Sequence, residues 1–236
     1  MSVTLVLGAG GGAGTTTTAV GLVNLLSLHG KSAVAVDATV GGGDLVDRAA
    51  DAIVTPATVE SGYIDAELSV TSTGAQVLGR AWPDTIEPDY GRLDWYLSCM
   101  ADAAVYDFGH RAFERDSAGP LRSQPWAALV LVVPARPDAV RRSRTALHTI
   151  RLAAGEKALR RTTVVLSHTD PRPSAIGVDD VCRGLDSVFD VQEVPYDAHL
   201  ASGSTVTASE LATATTHAYE RILASNIRSA WGTMSA

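Results

Sequence analysis

The 236-residue chain has almost no lysine: of its 19 basic residues, 17 are arginine and only Lys31 and Lys157 carry an amine. Chemistry that needs a side-chain ammonium must use one of those two positions. Cysteine is equally scarce, and Cys99 and Cys182 make neither a disulfide framework nor a metal cluster. The six histidines are scattered, with no pair at the close helical spacing of a zinc site. Long apolar runs are missing as well, since the longest, residues 127–133, falls far short of the roughly 20 needed to span a bilayer. No basic leader precedes the first strand-like run, so the expectation is a soluble cytoplasmic protein. A net charge of −7 argues against a dedicated nucleic-acid binder.

What is present is ample core material: 46% of the chain is apolar and 21 residues are glycine. Continuous apolar runs bounded by polar punctuation predict buried strands over residues 3–7, 33–37, 103–107, 127–134, 162–167 and 191–195. Helical spacing predicts helices over 15–29, 93–100, 138–152 and 178–188, with a turn or two over 44–50. A final helix over 208–229 carries a stripe of Leu211, Thr215, Ala218, Ile222 and Ile227. Strands alternating with helices predict an α/β fold, a mostly parallel twisted sheet with helices on both faces. No repeat or linker marks a second unit, so residues 1–236 are expected to form one domain. Residues 51–92 are the least legible stretch.

The first predicted strand runs into Gly8-Ala9-Gly10-Gly11-Gly12-Ala13-Gly14, followed by Thr15 to Thr18 at the start of a helix. Glycines at such a corner let backbone N–H groups approach an anion, which the helix N-terminus also attracts. Three readings fit. The loop is a tight turn that binds nothing, a dinucleotide fingerprint, or a phosphate-binding P-loop. Gly8-x-Gly10-x-x-Ala13 with Asp37 ending the next strand satisfies the NAD(P)-binding Rossmann pattern. A short-chain dehydrogenase, however, needs a Tyr four residues before a Lys, and Lys157 is preceded at that distance by Ala153. The dinucleotide reading is therefore the remote one.

Four separated motifs resemble the ParA/MinD family of deviant Walker A P-loop ATPases, whose loop reads K-G-G-x-G-K-T-T. Gly11, Gly12 and Gly14 match its glycines, Ala13 its variable place, and Thr16 and Thr17 its hydroxyl pair. The stretch from Thr17 to Ala38 resembles the family's first helix and second strand. Val105-Tyr106-Asp107-Phe108-Gly109 resembles the Walker B strand, and Val194-Pro195-Tyr196-Asp197-Ala198-His199-Leu200 the late loop bordering adenine. From Val194 to Leu223 the chain looks most like actinobacterial members encoded near type VII secretion systems. The resemblance implies a SIMIBI-like P-loop NTPase fold that binds ATP and magnesium. It implies nucleotide contacts from Gly10, Gly11, Gly12, Ala13, Gly14, Thr15, Thr16, Thr17, Pro195 and Asp197, and a magnesium shell from Thr16, Asp37 and Asp107. A homodimer formed through the P-loop face is a further implication.

Both family lysines are missing: Gly10 stands at the signature lysine and Thr15 at the Walker lysine. Thr39 stands where the second acid of the family's D-x-D sits, and Ser167 where relatives often read the base with Asn. Removing one donor that stabilises transition-state charge costs about 3–4 kcal/mol. The expectation is a degenerate Walker A site with no catalytic residue assigned and hydrolysis very slow or absent. That describes a pseudo-ATPase scaffold or positioning partner of a larger secretion or segregation machine. The alternative is a slow, atypical Mg-ATPase switch. Arg111 and Arg136, each after a strand end, are candidate substitutes for the lysines, and each also reads as a surface residue. Arg141, Arg144, His148 and Arg151 share a helical face, with Arg142, Arg160 and Arg161 nearby. A nonspecific DNA patch there is the weaker reading and a solvated face the stronger. Membrane attachment through the stripe ending at Trp231 is likewise the weaker reading, and His110 and His168 read as loop residues.

Overall fold

A computed structural model describes residues 1–39, 43–50, 69–79, 89–113, 121, 124–174, 176–183, 185 and 188–234. Eight strands form one sheet in the order β3-β4-β2-β5-β1-β6-β7-β8. These are β1 (Ser2–Gly8), β2 (Ala33–Asp37), β3 (Ser69–Val70), β4 (Gln76–Leu78), β5 (Ala103–Asp107), β6 (Ala128–Pro134), β7 (Thr162–Ser167) and β8 (Asp190–Val194). Every pairing is parallel except the short β3–β4 edge. The helices are α1 (Thr15–Leu28), α2 (Leu45–Ala49), α3 (Tyr90–Ser98), α4 (Ala139–Ala154), α5 (Glu156–Leu159), α6 (Val178–Cys182), α7 (Ala198–Ala201) and α8 (Thr213–Met234).

The central strands are apolar along their whole length because both faces are covered. Side chains alternate between two cores. Leu5, Leu7, Leu129, Leu131 and Val133 face α3, α4 and α5, whereas Val6, Val130 and Val132 face α1 and α8. Close approach of α1 and α8 depends on Gly21, where a Cβ would lie 2.4 Å from the Tyr219 ring. That ring packs along α1, and its hydroxyl reaches the Thr17 carbonyl at 3.3 Å.

The α/β expectation holds, and six parallel strands lie within a residue or so of where the apolar runs predict them; the seventh, β4, pairs with β2 inside the stretch that was least legible. Three expected helices differ, and the one expected over 93–100 runs over Tyr90–Ser98. The segment expected over 178–188 is helical only over Val178–Cys182, and part of its remainder lies outside the described residues. The last helix begins at Thr213, after a separate 3-10 turn at Ala208–Glu210. Its buried stripe runs through Thr215, Ala218, Tyr219, Ile222, Asn226 and Ser229, while Ile227 is 52% exposed. The step from 222 to 227 is five residues, which leaves the 3–4 spacing of one helical face. Most of the illegible stretch, residues 51–68 and 80–88, lies outside the described residues, as does the side chain of Trp231. Among the described residues, no helix is long and apolar enough to cross a membrane.

Candidate nucleotide site

Parallel strands deliver their C-terminal ends to one edge of the sheet, where ligands bind in open α/β folds. A cleft of about 870 Å³ opens there, within the usual range for small-molecule sites. Its floor is the loop after β1, and its walls are the ends of β5, β7 and β8 together with α2 and α7.

The loop is held at its root: Gly8 N–H donates to Gly109 O at 2.8 Å, and Ala9 N–H to Val132 O at 2.9 Å. It then turns through two left-handed residues, Gly12 (φ 67°) and Gly14 (φ 87°), a conformation that favours glycine. Gly14 precedes α1 with no side-chain cap. The first intrahelical bond runs from Thr18 N–H to Gly14 O, so the N–H groups of Thr15, Thr16 and Thr17 are the helix's orphan donors at the cleft. The hydroxyls of Thr17 and Thr18 also bond the Gly14 carbonyl, at 2.9 and 2.8 Å, which fixes this first turn. Of the expected loop contacts, Gly10, Gly12, Ala13, Gly14, Thr15, Thr16 and Thr17 line the cleft. Gly11 faces outward beside His110.

Beside the loop stands a cluster of oxygens. Asp37 and Asp107 are register partners at the ends of β2 and β5. Thr16 Oγ1 lies 2.6 Å from Asp107 Oδ2 and 3.0 Å from Asp44 Oδ1, linking the helix to both acids. Asp107 is fully buried. Desolvation pushes its carboxyl up to about 7, helped by the negative charges of Asp37 and Asp44 and opposed by hydrogen bonds from Thr16 and Gly109. Asp37 accepts the Thr39 N–H at 2.9 Å and the Thr39 hydroxyl. A Cβ at Gly43 would fall 2.7 Å from Asp37 Oδ2, so glycine is needed where the chain crosses that carboxylate. Asp37 and Asp107 both lie just behind the cleft's lining, reached from it through Thr16 and Thr39.

Hard oxygen donors of this kind suit magnesium. Among the described residues, no group of three or more His, Cys, Asp or Glu side chains is arranged to hold a metal by itself. An ion at Thr16, Asp37 and Asp107 would thus complete its shell with water and phosphate oxygens. The residues present fit a magnesium-bound phosphate chain, and such an ion would neutralise phosphate charge.

The far wall contains Ser167, His168, Thr169, Pro195 and Asp197. Asp197 is 5% exposed, and its carboxylate is taken up by backbone N–H groups of His199 at 2.8 Å, Leu200 at 3.4 Å and Ala212 at 2.9 Å. Burial raises its pKa, but these bonds outweigh it and leave the group below the ordinary carboxylate value. Arg48 is buried in the wall, its guanidinium donating to the carbonyls of Leu200 and Ser204.

Asp44, Arg48, His110 and His168 are cleft residues that the sequence reading did not select. Asp44 was recognisable only as the acid closing a glycine run before an apolar turn. His168 lies in the loop after β7, as expected, and bonds Glu193 Oε1 through Nε2. Arg136 lines a smaller neighbouring cleft with Asp170 and Arg172 and not the phosphate loop, and the side chain of Arg111 lies outside the described residues. The basic patch is smaller than the sequence suggests. Arg161 is buried against the Ala127 and Lys157 carbonyls, Arg151 pairs with Glu156, and Arg141 with Asp138.

Comparison with known proteins agrees with this geometry. No protein-family model matches the chain. A ParA family ATPase from Chlorobium tepidum superposes with a TM-score of 0.74 at 18% identity, covering 94% of this chain and 98% of that one. MinD of Pyrococcus horikoshii complexed with Mg-ADP gives 0.66 at 16% identity, covering 94% and 93%. MinD in the MinC:MinD complex of Aquifex aeolicus gives 0.67 at 15%, covering 95% and 96%. The chain therefore has the ParA/MinD P-loop fold. Among curated proteins, the ESX-1 secretion-associated protein EspI of Mycobacterium tuberculosis is 25% identical over 218 residues, 85% of this chain. The alignment spans 32% of the length of that relative.

Proposed function

We propose that this chain is a ParA/MinD-type protein whose degenerate site binds a magnesium nucleotide, ATP by resemblance, and turns it over very slowly or not at all. One observation carries this reading. The phosphate cradle and the oxygen cluster at Thr16 are complete, yet positions 10 and 15 carry no amine. Backbone N–H groups and a metal are enough to bind phosphates. Efficient transfer needs further charge stabilisation in the transition state, and losing one such donor costs about a hundredfold or more in rate.

Such a protein acts through contacts with partners and not through flux. The likeness to EspI, a secretion-associated protein, supports a secretion-associated setting, and within it we propose a scaffold or positioning role. Homodimerisation through the P-loop face belongs to the same proposal. Calorimetric titration with ATP, with and without magnesium, tests the nucleotide half: saturable binding that strengthens with magnesium is expected, and no binding in either condition would refute it. Co-purification from the native host tests the scaffold half, with the expectation of a stoichiometric partner whose retention does not need hydrolysis.

A second reading, a slow Mg-ATPase switch, draws on Asp44. Its exposed carboxylate touches Thr16 from the cleft side, where an acid is able to orient a water.

A further inference from the structure

Arg142, near the start of α4, places its guanidinium against Gly10, at the edge of the cleft and not among the residues that line it. A Cβ at Gly10 would lie 2.6 Å from Arg142 Nη1 and 3.4 Å from its Cζ. Gly10 is one of the two loop positions without an amine, and the guanidinium occupies the space that a side chain there would enter. This juxtaposition follows from the topology. β6 is hydrogen-bonded to β1, so α4, which follows β6, starts beside the loop that follows β1. Asp138, at the N-cap of α4, accepts from Arg142 Nε at 2.6 Å and fixes the side chain's direction. The carboxyl of Asp138 is held below its ordinary value, chiefly by that hydrogen bond.

Among the described residues, the only hydrogen bond made by the Arg142 side chain uses Nε, which leaves both terminal nitrogens available. Arg48, the guanidinium in the cleft wall itself, is already committed to the Leu200 and Ser204 carbonyls. Asp44 and Asp107 both touch Thr16, while the loop from Gly10 to Thr17 carries no charged side chain to offset them. A planar guanidinium with two free nitrogens matches the oxygens of a phosphate.

We propose that Arg142 is the cation of the phosphate site: from a helix beside the loop, it binds the phosphate chain of a nucleotide seated in that same loop. The assignment rests on the nucleotide reading of the cleft. It also gives Gly10 a reason to be glycine, since any side chain there would displace the guanidinium.

The test is calorimetric titration of the full chain with Mg-ATP and with inorganic tripolyphosphate, at fixed ionic strength. Arg142→Ala is expected to weaken both by about tenfold or more, the usual worth of a hydrogen bond to a charged group. Arg142→Lys should recover part of the loss. Gly10→Ala keeps the arginine but obstructs it, and should weaken binding in the same direction. Arg141→Ala, at a neighbouring side chain that is 76% exposed, should bind as wild type does. Thermal melts without ligand check that each variant folds. Wild-type affinity in both Arg142→Ala and Gly10→Ala would overturn the assignment while leaving the cleft's function standing. A wild-type protein that binds neither probe would overturn the nucleotide reading, and the role of Arg142 with it.

Discussion

The two sides of the cleft differ sharply. On the acid side, Thr16, Asp37, Asp44 and Asp107 are tied to one another and to the backbone, and a glycine at 43 makes room for a carboxylate. On the cation side, the loop carries no charged side chain, and among the described residues the guanidinium beside Gly10 comes from another helix. On the proposed reading the acid oxygens would support a metal whenever nucleotide is bound, whereas a loop amine adds most when charge develops during transfer. A site that keeps the first and lacks the second suits binding better than turnover.

The largest expected effect breaks the acid side. Asp107→Asn should lower the magnesium-dependent gain in nucleotide affinity by about 10–100-fold, the usual cost of losing a metal's supporting ligand. Titrations with and without magnesium measure it, and an unchanged gain would remove Asp107 from the metal site.

Next in size is a repair of the cation side. Thr15 lines the cleft on the first turn of α1, so Thr15→Lys should tighten Mg-ATP binding by about tenfold. No gain would mean that the loop does not receive phosphates.

The pH response sharpens the contrast. Burial holds the folded-state carboxyl of Asp107 at about 7, above the ordinary 3.8 of an aspartate. Between those values the native state binds more protons than the unfolded chain. This contribution to stability is therefore full at low pH, falls as pH rises through the window and levels off above pH 7. Chemical denaturation of the ligand-free protein should show Asp107→Asn stabilised relative to wild type at pH 8, with the difference shrinking towards pH 5. The smallest effect belongs to Asp44→Asn. Binding should change by only about two- to threefold, as for a solvent-exposed contact. Any residual turnover should fall much further if the slow-switch reading holds.

Legibility in the sequence followed the same divide. Parallel strands buried on both faces leave a continuous apolar run, which is why β1, β2, β5, β6 and β7 could be read directly. The loop was readable because anion binding at a strand–helix corner needs glycines at close spacing. Asp44 and Arg142 were not, since each reaches the site from an element with its own ordinary reason to carry a charge: a helix start and an i,i+4 ion pair. Arg161 misled in the opposite sense. Beside Arg160 in sequence it reads as surface charge, yet it points inward to satisfy the carbonyl of Ala127, which packs in the core. Ile227 misled because apolar character was given more weight than helical spacing.

Single-turnover hydrolysis tests the central claim most directly. With protein in excess over radiolabelled Mg-ATP at concentrations that saturate binding, wild type is expected to hold its ATP uncleaved for at least a hundredfold longer than Thr15→Lys does, about the rate cost of one missing charge stabiliser. Cleavage by wild type at a rate matching Thr15→Lys, and abolished by Asp107→Asn, would contradict the account and make this chain a working ATPase.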